Sequence, residues 1–280
     1  GFMTQWVLNN WADRYDEILV VFANTGQENE KTLEFVDKCD LFFGFNTVWL
    51  EAEIDPRVGR GTKHRVVDFE TADRNGTVFE DMIRKYGIPN QNYPHGTREL
   101  KLQAITSYVR SIGWSKGSYD TAIGIRVDEI DRMSAKRDKF RFLYPLVSDV
   151  PMTKPDINTW WSKQPFRLEL KGYEGNCKWC WKKTLRKHFT LAKNSIEIYD
   201  FPMEMEKKYK YTGRSSDGSP RTFFREGRDT VDLLLDSLSD FDEFHDDSVV
   251  YNYELDSPNG DCTDQCDAFT NDDDLEQVGL

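Results

Sequence analysis

The sequence predicts an α/β fold: a mainly parallel sheet with helices on both faces, followed by a mostly helical C-terminal part and an acidic tail. Three observations predict it. Short apolar runs at Ile18 to Ala23 (ILVVFA) and Thr121 to Ile125 (TAIGI) alternate with amphipathic stretches at helical spacing, the pattern of strands joined through helices. With 18 Phe, 12 Tyr and 8 Trp in 280 residues, aromatic side chains must supply much of the core in a chain that is 38% hydrophobic. Charge is divided: the net value is −12, yet residues 227–280 hold 17 Asp or Glu against the single Arg228, leaving residues 1–226 at about +4.

Taken in order, Gly1 to Arg14 places Met3, Trp6, Val7 and Trp11 near helical spacing. The strand Ile18 to Ala23 follows and is stopped by Asn24-Thr25-Gly26; Glu28 to Cys39 then resumes a helical pattern through Leu33, Phe35 and Val36. Strands are expected at Thr47 to Glu51 and Arg65 to Phe69. Helices are expected at Thr77 to Tyr86 and at Thr97 to Ile112, the second after a Pro94-His95-Gly96 break. The strand Thr121 to Ile125 ends in Arg126. Beyond Pro145 the pattern turns helical at Lys154 to Lys163, Thr184 to Asn194 and Phe201 to Tyr211, with a loop at Gly213 to Pro220. Past Leu238 periodicity fails and acidity dominates, as in a segment that is either disordered or pinned by something local. The chain divides into a core at residues 1–150, a helical extension at 151–226 and an acidic tail at 227–280.

The longest clean apolar run, Ile18 to Ala23, falls far short of the roughly 18 residues a membrane-spanning helix needs. No basic stretch leads into a hydrophobic one at the N-terminus, and five cysteines in 280 residues do not make a disulfide scaffold. A reducing cytoplasm is the expected setting. The mildly basic body suits a phosphate-binding cleft, while the tail would repel nucleic acid, shield that cleft or dock on a protein partner. Nucleic acid and self-association stay open as partners; a membrane does not.

In open α/β sheets, ligands sit beyond the carboxyl ends of the strands, against loops and helix N-termini. Three segments end strands with polar residues. Asn24, Thr25 and Gly26 offer hydrogen bonds and close backbone approach, although Thr25 and Glu28 also have the spacing of a helix capping box. Thr97-Arg98-Glu99-Leu100-Lys101 sets Arg98 and Lys101 three apart at a helix start, suited to phosphate or simply a solvated charged face. Gly124-Ile125-Arg126-Val127-Asp128-Glu129 ends an apolar strand in a cation and two acids, which would clamp phosphate and a metal ion or form surface ion pairs. Cys177-Lys178-Trp179-Cys180 and Cys262-Thr263-Asp264-Gln265-Cys266 form two close thiol pairs. Four such thiolates match tetrahedral zinc or a [4Fe-4S] cluster, with unliganded reduced thiols as the alternative. Cys39 reads as a core residue; His188 fits a replacement for a thiolate ligand and a basic helix face equally well, and Trp160, Trp161, Trp179 and Trp181 would either stack on a base or, as their frequency favours, lie buried in a helical cap.

In order and wording these segments resemble the phosphoadenosine phosphosulfate reductase family, especially the compact members carried by phages and prophages. The resemblance spans roughly Gly1 to Tyr209. It rests on VVFANTGQENEKTLEFV, VVDFETADRNGTVFEDMIRKYGIPN, TRELK, AIGIRVDE, YPLV, the stretch Lys154 to Phe166, and GNCKWCWKK. It implies a pyrophosphatase-loop fold binding an adenine nucleotide, ATP or phosphoadenosine phosphosulfate. The expected contacts are Asn24, Thr25, Gly26, Glu28, Thr97, Arg98, Lys101, Gly124, Arg126, Asp128 and Glu129. Arg98, Lys101 and Arg126 would neutralise phosphate, so Arg126→Ala is expected to weaken binding. Such relatives carry a Ser-Gly-Gly-x-x-Ser phosphate loop after their first strand. Here Gly1-Phe2-Met3-Thr4 resembles the helix that follows that loop, and the first strand and loop are expected to be missing from the chain. The C-terminal Glu-Cys-Gly-Ile/Leu-His string is absent too, so direct reduction of phosphoadenosine phosphosulfate is not expected. Gly96 stands where many phage relatives resemble one another in a cysteine.

Two functions follow as expectations. One is an enzyme that activates a substrate with an adenine nucleotide and uses the cysteines for sulfur or electron transfer. The other is a nucleotide-binding or protein-interaction module of phage type with a structural metal at Cys177, Cys180, Cys262 and Cys266. The setting for either is the bacterial host's cytoplasm if the chain is phage-encoded.

Overall fold

Two small sheets anchor the computed structural model, which describes residues 1–57, 59–90, 92–213, 218–224 and 228–245. The first sheet has the order β1-β2-β3, from β1 (Val21–Asn24), β2 (Val48–Glu53) and β3 (Lys63–Val67). β1 and β2 run parallel, with Val21 opposite Val48 and Asn24 opposite Glu51. Helix α1 (Phe2–Asn10) precedes them, and α2 (Glu30–Phe43) makes the crossover a parallel pair requires. β3 pairs antiparallel with β2, Trp49 facing Val67, because the link through residues 54–62 is too short for a crossover helix. The second sheet pairs β4 (Thr121–Ala122) parallel with β5 (Phe142–Leu143). The fold is thus mixed α/β with small parallel elements and one antiparallel strand.

Local chemistry sets the element ends. α2 begins at Asn29, whose side chain accepts from Lys31 N, and not at the Thr25/Glu28 spacing. It runs a turn beyond Cys39 and stops at Gly44, which takes a left-handed φ of 68° and returns its N–H to Asp40 O. α3 spans Thr77–Tyr86. The next helix starts two residues earlier than the Pro94-His95-Gly96 break predicts: Pro94 serves as N-cap, and His95 and Gly96 lie in the first turn, where a glycine costs little. It comprises α4 (His95–Thr97), a π turn (Arg98–Leu102) and α5 (Gln103–Ser111). Leu100 and Leu102, two residues apart, belong to different cores. Leu100 packs with Met82, Ile83, Ile88 and Phe189, whereas Leu102 packs with Ile125, Phe140, Phe142 and Tyr144. The strand expected at Thr121 to Ile125 shortens to two residues before a 3-10 helix at Val127–Arg132.

After α6 (Arg137–Phe140) and α7 (Pro145–Ser148), the C-terminal half is helical as expected, with α8 (Lys154–Trp161), α9 (Leu185–Asn194) and α10 (Asp200–Tyr209). Thr153 and Asp156 close a capping box on α8, and Thr184 caps α9 by accepting from Lys187 N. The first part of the acidic tail is ordered onto this layer. α11 (Thr230–Asp236) buries Leu233 in the main core. Beyond it, Phe241 meets Phe189 at 5.3 Å, Phe244 N donates to Thr190 Oγ1 at 2.9 Å, and Lys193 pairs with Glu243 at 3.2 Å. Among the described residues no helix is long and apolar enough to cross a membrane.

Candidate functional site

Strand β1 ends in a knot of buried polar groups. Glu51, opposite Asn24 and 0% exposed, accepts from Asn24 Nδ2 at 2.7 Å, from Asp73 N at 2.6 Å and from the Arg65 guanidinium. Asn24 Nδ2 also reaches the Asp73 carbonyl at 2.8 Å, and its Oδ1 accepts from Gly26 N at 3.2 Å. Gly26 has φ +80°, and a Cβ there would come within 2.4 Å of the Asp73 carboxylate. That carboxylate is fixed by Asn75 N and Val78 N, so only glycine fits without rearrangement. Thr25 N and Oγ1 donate to Glu28, which is buried with Lys101 Nζ 4.0 Å away. Burial pushes the Glu28 carboxyl above its ordinary range, against the opposing pull of Lys101 and the Thr25 donors. Asn24, Gly26 and Glu28 therefore shape the strand tip from within.

The segment carrying Cys177 and Cys180 docks on this tip. Lys178 N donates to Gln27 O at 3.0 Å, Asn29 N to Asn176 O at 2.6 Å, and Cys177 forms a bridge with Glu28. Trp179 Nε1 donates to Gln27 Oε1 at 2.7 Å while its ring lies 4.6 Å from Phe223 and 5.8 Å from Phe201. A buried indole thus sets the height of the cysteine segment against β1.

Between these parts opens a cleft. Thr25 and Gln27 line it from the β1 tip; Gly96, Thr97, Leu100 and Lys101 from α4 and the π turn; Cys177, Trp179, Cys180, Trp181 and Lys182 from the cysteine segment; and Phe79, Pro89 and Pro94 close it. The walls are mainly apolar and aromatic, with two lysines and two thiols, the composition of a site for an anionic ligand with a flat apolar part.

Of the residues expected to form the site, Thr25, Thr97, Lys101, Cys177 and Cys180 meet here. Arg98 turns aside to Glu99 at 2.9 Å, and Glu99 accepts from Thr62 Oγ1 at 2.7 Å. The third strand tip does not line the cleft. Arg126 is buried, its guanidinium pairs with Asp128 at 3.0 Å and Glu129 at 3.2 Å, and its backbone N–H donates to the Glu129 carboxylate at 3.5 Å, while Glu129 also holds Arg132. Gly124 sits beside the Met3 sulfur. Arg126, Asp128 and Glu129 are ion-paired with one another, although Arg126 and Glu129 are buried and not at the surface where that alternative places them.

Among the described residues no group of three or more His, Cys, Asp or Glu side chains is placed to hold a metal. Cys177 and Cys180 supply two thiols, while Cys262 and Cys266 lie outside the described residues. Cys39 is buried, and burial pushes its thiol up to about 11. His188 is buried too, its Nδ1 2.8 Å from the Tyr199 hydroxyl. The sequence did not single out Gln27, Phe79, Pro89, Pro94, Leu100 or Lys182 as site residues, and it left Trp179 and Trp181 between stacking on a base and burial. Trp181 and Lys182 were signalled by adjacency to the thiol pair, and the two prolines by flanking the helix start; Phe79 reads as an ordinary helix residue.

His95 offers a pH test of this wall. Its Nε2–H donates to Gly87 O at 3.1 Å, and burial pulls its pKa down to about 4 from an ordinary 6.5. The unfolded chain binds a proton that the folded chain refuses, so stability falls as pH drops from 6.5 to 4. The loss should total about 3 kcal/mol, at about 1.4 kcal/mol per unit. Urea unfolding across this window should show a shallower slope in His95→Gln; an unchanged slope would assign the loss to other groups.

No protein-family model matches the chain, and no solved structure matches it. It is 31% identical over 227 residues to an uncharacterized nin region protein, ORF290, of Escherichia phage lambda, covering 75% of this chain and 77% of that one. The chain belongs to that protein's family. For this member of the family of nin region protein ORF290, the cleft between the β1 tip, the helix start and the cysteine segment is the candidate site.

Proposed function

We propose that the cleft binds an adenine nucleotide, and that the chain acts as a phosphoadenosine phosphosulfate reductase-like protein joining nucleotide-dependent activation to sulfur or electron transfer at its cysteines. The observation that carries this reading is the meeting of the β1 tip, the helix start at Thr97 to Lys101 and the Cys177–Cys180 segment around one cleft. Phe79, Trp181 and the two prolines offer flat apolar faces for a base, Thr25 and Gln27 offer polar groups, and Lys101 and Lys182 offer charge to phosphate. The alternative to redox use of the thiols is a metal site: zinc or a [4Fe-4S] cluster would take Cys177 and Cys180 as half of a four-thiolate set, with Cys262 and Cys266 as the other half.

Calorimetry of the full chain with ATP and with phosphoadenosine phosphosulfate tests the proposal. Lys101→Ala is expected to weaken binding about tenfold or more, since a charge-assisted hydrogen bond contributes about 1.5–3 kcal/mol. Arg126→Ala is the companion variant. Its place off the cleft gives it the smaller effect, and a larger loss from Arg126 than from Lys101 would move the nucleotide elsewhere. Absence of binding heat with either nucleotide would end the proposal.

A further inference from the structure

Cys177 and Cys180 flank a tight turn through Lys178 and Trp179, and both line the cleft. A turn of this kind keeps its first and fourth Cα atoms within about 7 Å, overlapping the roughly 4.4–6.8 Å that a disulfide spans. The backbone is fixed from both sides: Lys178 N is held by Gln27 O, and the Cys177 carbonyl accepts from Lys183 Nζ at 3.4 Å. Trp179, 2% exposed, anchors the turn in the core while both cysteines remain partly exposed. Lys101 and Lys182 share the cleft walls with them. Cys39 has the opposite environment, buried and with its thiol pushed up to about 11.

We propose that Cys177 and Cys180 form a dithiol–disulfide redox site that reduces a small organic disulfide entering the cleft. One cysteine thiolate attacks a sulfur of that disulfide, giving a mixed disulfide and expelling the first substrate thiolate. The second cysteine thiolate then attacks the protein sulfur of the mixed disulfide, closing the Cys177–Cys180 bond and expelling the other half of the substrate. Two electrons pass from the protein pair to the substrate, and the two protons lost by the cysteines end on the two thiols released. Excess small dithiol runs the sequence backwards and restores the reduced pair. The chemistry stands on the turn and the cleft and needs neither a nucleotide nor a metal.

The test is equilibration of the full chain in mixtures of reduced and oxidised glutathione, followed by maleimide quenching, tryptic digestion and mass spectrometry. Lys178 lies between the two sulfurs, so cleavage after it converts a Cys177–Cys180 bond into two peptides joined only through sulfur. That linked species should rise with oxidised glutathione and vanish with dithiothreitol. Cys177→Ser and Cys180→Ser should each lose it and accumulate glutathione on the surviving cysteine, at least tenfold more than on Cys39. The proposal is overturned if both cysteines stay maleimide-labelled throughout, if they bond to Cys262 or Cys266 instead, or if stoichiometric zinc or iron in the purified chain blocks both reactions. Nucleotide binding is read separately by calorimetry, so a failure there leaves this readout intact.

Discussion

Trp179→Ala is expected to lower unfolding stability by about 3–5 kcal/mol, the range for deleting a buried aromatic side chain without collapse of its surroundings. The indole is enclosed by Phe79, Phe201, Phe223 and Phe224, with ring centroids 4.6–6.4 Å away. These rings come from α3, α10 and the segment before α11, so the hole would open where three elements converge. The substitution also removes the donor to Gln27 Oε1, leaving a buried acceptor without that partner. Urea unfolding followed by far-UV circular dichroism measures the loss. Trp179→Phe separates the two contributions, since it keeps most of the packing and drops only the hydrogen bond; it should cost clearly less. A loss below about 1 kcal/mol for the alanine variant would show that the cysteine segment is not anchored through this ring.

The second large effect is expected at Glu51. Its carboxylate collects Asn24 Nδ2, Asp73 N and Arg65 in a place with no solvent exposure. Glu51→Ala strands the buried Asn24 amide and the part-buried Asp73 N–H at once, and breaking a buried charged network by removing one partner costs about 3–5 kcal/mol. Arg65 is 60% exposed, so water compensates it, and the penalty falls mostly on Asn24 and the Asp73 N–H. A double-mutant cycle with Asn24→Ala should therefore show coupling well above that with Arg65→Ala. Equal coupling would place the energy in the surface ion pair instead.

The helices of the C-terminal half were legible because their apolar spacing and caps agree: Thr184 before α9 and Thr153 with Asp156 before α8 are visible as letters. The β1 tip was legible for the same reason, an apolar run stopped by Asn24-Thr25-Gly26. Strand direction was not, because β3 runs antiparallel on account of a short link and not of its own residues. Arg126 illustrates the limit for the site. A cation followed by two acids reads equally as a phosphate clamp or as a self-satisfied cluster, and the choice depends on where residues 124–129 lie relative to Lys101. Phe79 and Leu100 join the cleft through packing between distant helices, which leaves no local mark. The outer acidic tail, Cys262 and Cys266 included, lies outside the described residues.

The π turn at Arg98–Leu102 has a consequence for how this segment tolerates change. An α-helix advances about 100° per residue, and the wider turn absorbs one residue more than a regular turn would. Removing a single residue there would let the coil tighten and swing the Lys101 ammonium off the cleft wall, even with α5 still seated on its sheet. Spelling is therefore more negotiable than letter count in this stretch, and homologues should vary in side chain before they vary in length.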